Sequence, residues 1–104
     1  MHTTTSTATE RFYYHATTPA ALAAIAREGL RPVDGTVSLA HTRAAVAYWQ
    51  GLLTVPATVV LRVRRTRVRR AEVLYGGEAA ASITEQPIAA RDLEHLVEGV
   101  WVAL

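Results

Sequence analysis

The stretch from Thr17 to Leu30, TTPAALAAIAREGL, constrains the fold more than any other part of the chain. It carries a helix start signal, an apolar stripe and a stop signal in quick succession. Thr17 or Thr18 can cap the first turn, and Pro19 suits the first helical position because its missing N–H has no partner there anyway. Leu22, Ala23, Ile25 and Ala26 form the stripe, with Arg27 and Glu28 left for solvent. Gly29 ends the helix, and Leu30 supplies the apolar contact common after such a stop. Immediately before it, Arg11 to Ala16 (RFYYHA) is an aromatic run that suits a buried strand. A strand feeding a tightly bounded helix therefore opens the fold.

The rest of the chain reads in the same way. Pro32, Asp34 and Gly35 mark a turn, and Thr36 to Ala40 alternates as a second strand. Thr42 caps a second helix, Arg43 to Gln50, which Gly51 is expected to end. Val46 and Trp49 share a face of that helix. Pro56 opens a strand from Thr58 to about Arg65, with Val59, Leu61 and Val63 on one face and Val60, Arg62 and Arg64 on the other. Ala71 to Tyr75 is a strand, Gly76-Gly77 a turn, and Ala80 to Thr84 a further short strand. Pro87 to Leu96 is read as a short helical turn, with Ala89 or Ala90 near its start, and Val100 to Leu104 as a terminal strand. The order β-α-β-α and then mostly β predicts an α+β fold with two short helices and a split or two-layered sheet.

Length and composition narrow the function classes. A chain of 104 residues makes one domain, here read as residues 11–104. Residues 1–10, MHTTTSTATE, are polar and read as a flexible tail; they lack the basic and apolar pattern of a signal peptide. No apolar run is long enough to span a bilayer, so no membrane partner and a cytoplasmic location are expected. There is no cysteine, which excludes a disulfide scaffold, a thiolate zinc site and a cysteine nucleophile. All basic residues are arginine, so Schiff-base lysine chemistry and a Walker-type phosphate lysine are excluded as well. Missing lysine with abundant alanine also fits the codon bias of a GC-rich genome.

Few residues stand out for chemistry. His15 lies in the first strand, where a histidine is either a satisfied core residue or a functional one. His2, His41 and His95 lack the helical spacing of a metal pair, so no metal site is expected. There is no GxSxG elbow, no GxGxxG and no P-loop, and the carboxylates are scattered. The loudest electrostatic signal is Arg62, Arg64, Arg65, Arg67, Arg69 and Arg70, interleaved with Val63 and Val68. On a strand, these guanidinium groups can bind the phosphates of a nucleic acid or dinucleotide bidentately. They can equally form a solvated edge that blocks strand-to-strand aggregation.

Taken in order, YYHATTPAALAAIAREGLRP, VSLAHTRAAVAYW, VVLRV and SITEQPIAARDLEHL resemble the ADP-ribosyltransferase superfamily. They are similar to the poly(ADP-ribose) polymerases and to the catalytic lobe of RNA 2′-phosphotransferases. The resemblance spans about Phe12 to Leu96. It implies a compact ADP-ribosyltransferase-like split-sheet core with NAD as substrate. His15 falls on the histidine expected to bind a ribose hydroxyl of NAD. Ala16 stands where the family has glycine, and its methyl group narrows the approach to nicotinamide. Thr17 matches the small hydroxyl residue near the nicotinamide ribose, and Ser38 the variable position on the second strand. Tyr48 resembles the aromatic that stacks on nicotinamide, with a plain core aromatic as the other reading. At the late position where many members carry a catalytic glutamate, Ala81 aligns. Glu85 or Glu78 reaches that place by a small register change.

The resemblance thus implies a minimal NAD-dependent ADP-ribosyltransferase. His15, Tyr48 and Glu85 would serve as its catalytic set, and His15, Ala16, Thr17, Ser38 and Tyr48 would line its NAD site. The arginine run would favour a nucleic acid or other phosphate-rich acceptor. Ala16 and Ala81 motivate the alternative of an inactive module of the same fold that binds NAD, ADP-ribose or RNA ends. A partner-binding domain with a vestigial cleft is the third reading.

Overall fold

The computed structural model describes residues 11–104, so the tail assigned to residues 1–10, with His2, lies outside the described residues. Strand β1 spans Phe12–Thr17 and leads directly into helix α1, Pro19–Glu28. The start signal acts as its residues dictate. Thr18 is the N-cap, and its Oγ1 accepts the Ala21 N–H at 3.2 Å, with Pro19 opening the helix. Gly29 ends α1 with its N–H bonded to the Ile25 carbonyl at 2.8 Å. Its φ of 80° with ψ of −178° is open to glycine almost alone. A Cβ there would also collide with the Ile88 carbonyl oxygen. Leu30 and Ile88 bridge across that close approach.

Strand β2 is Val37–Ala40 and helix α2 is Arg43–Leu52. Thr42 caps α2, accepting the Ala45 N–H at 3.0 Å. Gly51 does not end this helix. It lies inside α2, and the cap falls at Leu53. The helix end is held instead by Gln50, whose Nε2 donates to the Ala57 carbonyl at 2.7 Å.

Strands β3 (Val59–Arg64), β4 (Glu72–Tyr75), β5 (Ala81–Thr84), β6 (Leu93–Val97) and β7 (Val100–Ala103) complete an α+β fold. The segment Pro87–Leu96 differs from its expected helical turn. Only Ala90–Asp92 forms a short 3-10 turn, and Leu93 onward is strand β6, paired to both β3 and β7. Burial explains the change. Leu93 is fully buried beside Val63, and Leu96 packs on the other face near Trp101, an alternation that only a strand satisfies. The β6–β7 hairpin turns at Glu98 and Gly99, both with positive φ, as a two-residue loop requires.

All seven strands form one antiparallel sheet in the order β4-β5-β2-β1-β3-β6-β7, rather than two layers. Its pairing is uneven. β1 pairs with β3 along its length, from Phe12↔Arg64 to Thr17↔Val59, but meets β2 only at Tyr14↔Ala40. The sheet therefore opens between β1 and β2. Its two faces carry separate cores. Ile25 and Leu30 join Val37, Leu39, Leu61, Val63, Ile88 and Leu93 in an aliphatic core with α1. Ala45 and Val46 of α2 pack with Ala40 and Val60, flanked by Tyr14, Trp49, Leu96 and Trp101. Among the described residues no helix is long and apolar enough to cross a membrane.

Candidate functional site

Where the ladder between β1 and β2 stops, a side chain takes over. His15 Nδ1 lies 2.7 Å from the Ser38 carbonyl oxygen. A carbonyl can only accept, so Nδ1 carries the proton and Nε2 is left with a lone pair. Burial holds the His15 pKa below its ordinary value, with the hydrogen bond to Ser38 opposing it. The ring is thus a neutral imidazole whose Nε2 can accept a hydroxyl proton.

Beside His15 lies a cavity of about 470 Å³, within the size range of small-molecule sites. Strands β1, β2 and β5 contribute His15, Ala16, Ser38, Ala81 and Ser82. Helix α2 contributes Val46 and Trp49, and β4 contributes Leu74 and Tyr75. Small residues help leave it open, because Ala16, Ala40 and Ala81 line it where larger side chains would take up space. Trp49 is fixed by its Nε1 donating to the Ala79 carbonyl at 3.1 Å. Its ring lies 5.4 Å from that of Tyr75 at 48°, giving an aromatic wall.

The predicted residues divide. His15, Ala16 and Ser38 line the cavity together, and so does Ala81. Thr17, at the end of β1 beside Val59, lies outside the lining. So does Tyr48, which is 41% exposed and packs edge-on against Trp49 at 5.6 Å. Glu85 is exposed in the bend after β5, and Glu78 sits in the 3-10 turn Gly77–Ala79; neither lines the cavity. The aromatic rings that line the cavity are those of Tyr14, Trp49 and Tyr75. Trp49 was legible, because it shares the buried stripe of Val46, whereas Tyr48 lies one step around the helix. Tyr75 gave no signal, since only the pairing of β4 with β5 brings it over α2.

Ser82 and His41 are a second pair that sequence reasoning passed over. Ser82 is fully buried, and its Oγ lies 2.6 Å from His41 Nε2. The His41 pKa is lowered, first by burial and then by the nearby Arg65 charge. Among the described residues no group of three or more histidine, aspartate or glutamate side chains is placed to hold a metal.

The arginine run does not form one basic strand. β3 ends at Arg64, Arg65–Arg67 is a 3-10 turn, and Arg70 has a φ of 54°. Several of these groups hold the protein together. Arg62 pairs with Glu94 at 2.7 Å and stacks over Phe12 and Trp101, at 4.1 and 4.5 Å from the ring centres. Arg65 is turned inward, donating to the Phe12 and His41 carbonyls at 3.1 and 2.8 Å. Arg67 lies 3.9 Å from Asp92. Arg64, Arg69 and Arg70 are exposed. No protein-family model, no curated protein and no solved structure matches the chain.

Proposed function

We propose that the cavity beside His15 binds NAD and that the chain is a minimal NAD-dependent ADP-ribosyltransferase with a split-sheet core of that superfamily's kind. The observation that carries this reading is the His15–Ser38 hydrogen bond at 2.7 Å. It fixes the imidazole as a hydroxyl acceptor where the sheet opens, which is what holding a ribose requires. The aromatic wall of Trp49 and Tyr75 suits a planar nicotinamide ring. In the reaction the bond from nicotinamide nitrogen to the ribose carbon breaks, and nicotinamide leaves as a neutral molecule. An acceptor oxygen, from nucleic acid or another phosphate-rich molecule, then bonds to that carbon, and its proton, if any, passes to solvent.

One observation favours a second reading. Among the described residues no carboxylate lines the cavity, so none is placed to stabilise developing oxocarbenium charge. In that reading the same site binds NAD, ADP-ribose or an RNA end without transfer. Labelled NAD, incubated with the protein and with RNA, separates the two. Nicotinamide release with labelled acceptor supports transfer, and calorimetric binding without release supports the module. His15→Ala is expected to abolish binding. If NAD is not cleaved and none of NAD, ADP-ribose and RNA binds, both readings fall.

A further inference from the structure

A second cavity, of about 270 Å³, lies at the start of β1 and of α2. We propose that it is a binding site for a phosphate dianion, free or as the terminal phosphomonoester of a larger molecule. Arg11, Arg43 and Arg65 line it with Phe12, Tyr14, His41 and Thr42, and among the described residues no carboxylate lines it. At its border Arg62, whose guanidinium lies over the ring of the lining residue Phe12, pairs with Glu94, and farther along the chain Arg67 lies 3.9 Å from Asp92. Among the described residues the three arginines of this cavity have no carboxylate partner. Like charges gathered in a concave site without a counter-ion repel one another, and an anion relieves that repulsion.

The site is also built rather than merely basic. Arg65 is fixed by the Phe12 and His41 carbonyls, and its guanidinium lies over Tyr13, 4.6 Å from the ring centre. Those two bonds use Nε and one Nη2 hydrogen, leaving Nη1 without a protein acceptor among the described residues. Arg43 stands at the start of α2 with its guanidinium 5.7 Å from the Trp101 ring centre. Arg11 has neither a side-chain hydrogen bond nor an ion pair among the described residues. Burial is the first cause that lowers the His41 pKa, and the Arg65 charge adds to it. The first turn of α2 carries no acidic residue to oppose an anion. A tetrahedral oxyanion has enough acceptor oxygens for several guanidinium forks, which a carboxylate lacks. The volume leaves space for several waters beside it, at about 30 Å³ each. This anion site stands whether or not the larger cavity binds NAD.

Inorganic phosphate titrated into the ¹⁵N-labelled chain tests it, with chloride adjusted to hold ionic strength constant. The side-chain Nε–H signals of Arg11, Arg43 and Arg65 and the amides of Thr42 and Arg43 are expected to shift saturably. The variant carrying Arg11→Gln and Arg43→Gln is expected to bind about tenfold or more weakly. Its signals from the α1 face should not move, which shows that the fold is kept. A phosphorylated ribonucleotide that binds more tightly than inorganic phosphate would identify the phosphomonoester as the preferred source; equal affinity would identify free phosphate. Three outcomes overturn the proposal: no saturation up to on the order of 50 mM phosphate, shifts that follow ionic strength alone, or undiminished binding by the double variant.

Discussion

The two helices start alike and end differently. Each opens on a threonine whose Oγ1 caps the third residue on, Thr18 for α1 and Thr42 for α2. Each has a glycine where a stop is expected, Gly29 and Gly51. Only Gly29 is one. It has a positive φ and presses on the backbone of Ile88, whereas Gly51 sits within α2 with nothing within 4 Å of where a Cβ would stand. A glycine therefore ends a helix when the tertiary structure demands a backbone that other residues resist, not because of its place in the sequence. The packing below the helices diverges in the same way. The α1 face is filled with Leu and Ile, whereas the α2 face is built on alanine and keeps a cavity.

The largest effect expected from this contrast is at Gly29. Gly29→Ala forces an alanine into a glycine-only conformation and drives its Cβ into the Ile88 carbonyl. A loss of about 3 kcal/mol or more is expected in urea unfolding. A loss below about 1 kcal/mol would mean that α1 can end elsewhere.

Next come two equally buried valines, Val63 on the α1 face and Val46 on α2. Val63→Ala opens a void in a closed core and is expected to cost about 2–3 kcal/mol. Val46→Ala only enlarges a cavity that already exists and gains helix propensity, so about 1 kcal/mol is expected. Equal losses would show that the α2 face is as tightly packed as the other. Gly51→Ala is smaller still and opposite in sign. It adds a methyl group in open space within a helix, and a gain of about 0.5–1 kcal/mol is expected.

Much of this was legible because local chemistry decided it. The caps at Thr18 and Thr42, the stop at Gly29 and the alternation of β3 follow from residue type and period alone. Pro87 to Leu96 reads as a helical turn because Leu93 and Leu96 also fit a helical spacing, and only pairing with β3 and β7 makes Leu93 onward a strand. The hairpin after it turns on Glu98-Gly99, a weaker signal than Asn-Gly or Asp-Gly. At the site, His15, Ala16 and Ser38 came together as adjacent strands allow. Tyr75, Ser82 and the arginine cavity depend on contacts between distant segments, which no local pattern encodes. The arginines showed the limit most clearly. Their spacing leaves a phosphate-binding strand and a solvated edge both open, but carbonyl acceptors turn Arg65 inward and Glu94 engages Arg62.

The smallest effect separates the two histidines that precede the helices. Both have folded-state pKa values lowered below the ordinary value of about 6.5. The unfolded chain then binds more protons just below that pH. Stability is full above it and falls as the pH drops through the window toward the folded values. Melting temperature should therefore decline between about pH 7 and pH 5.5, and His15→Gln or His41→Gln should each flatten part of that decline. The causes of the two shifts differ beyond burial. His41 also feels the Arg65 charge, whereas His15 is opposed only by its bond to Ser38. Coulombic effects are screened by salt and desolvation is not. Added salt should therefore weaken the pH slope that remains in His15→Gln, which comes from His41. It should leave the slope that remains in His41→Gln unchanged. Identical salt responses would mean that Arg65 does not reach His41 electrostatically, and the contrast between the two helix entrances would reduce to burial alone.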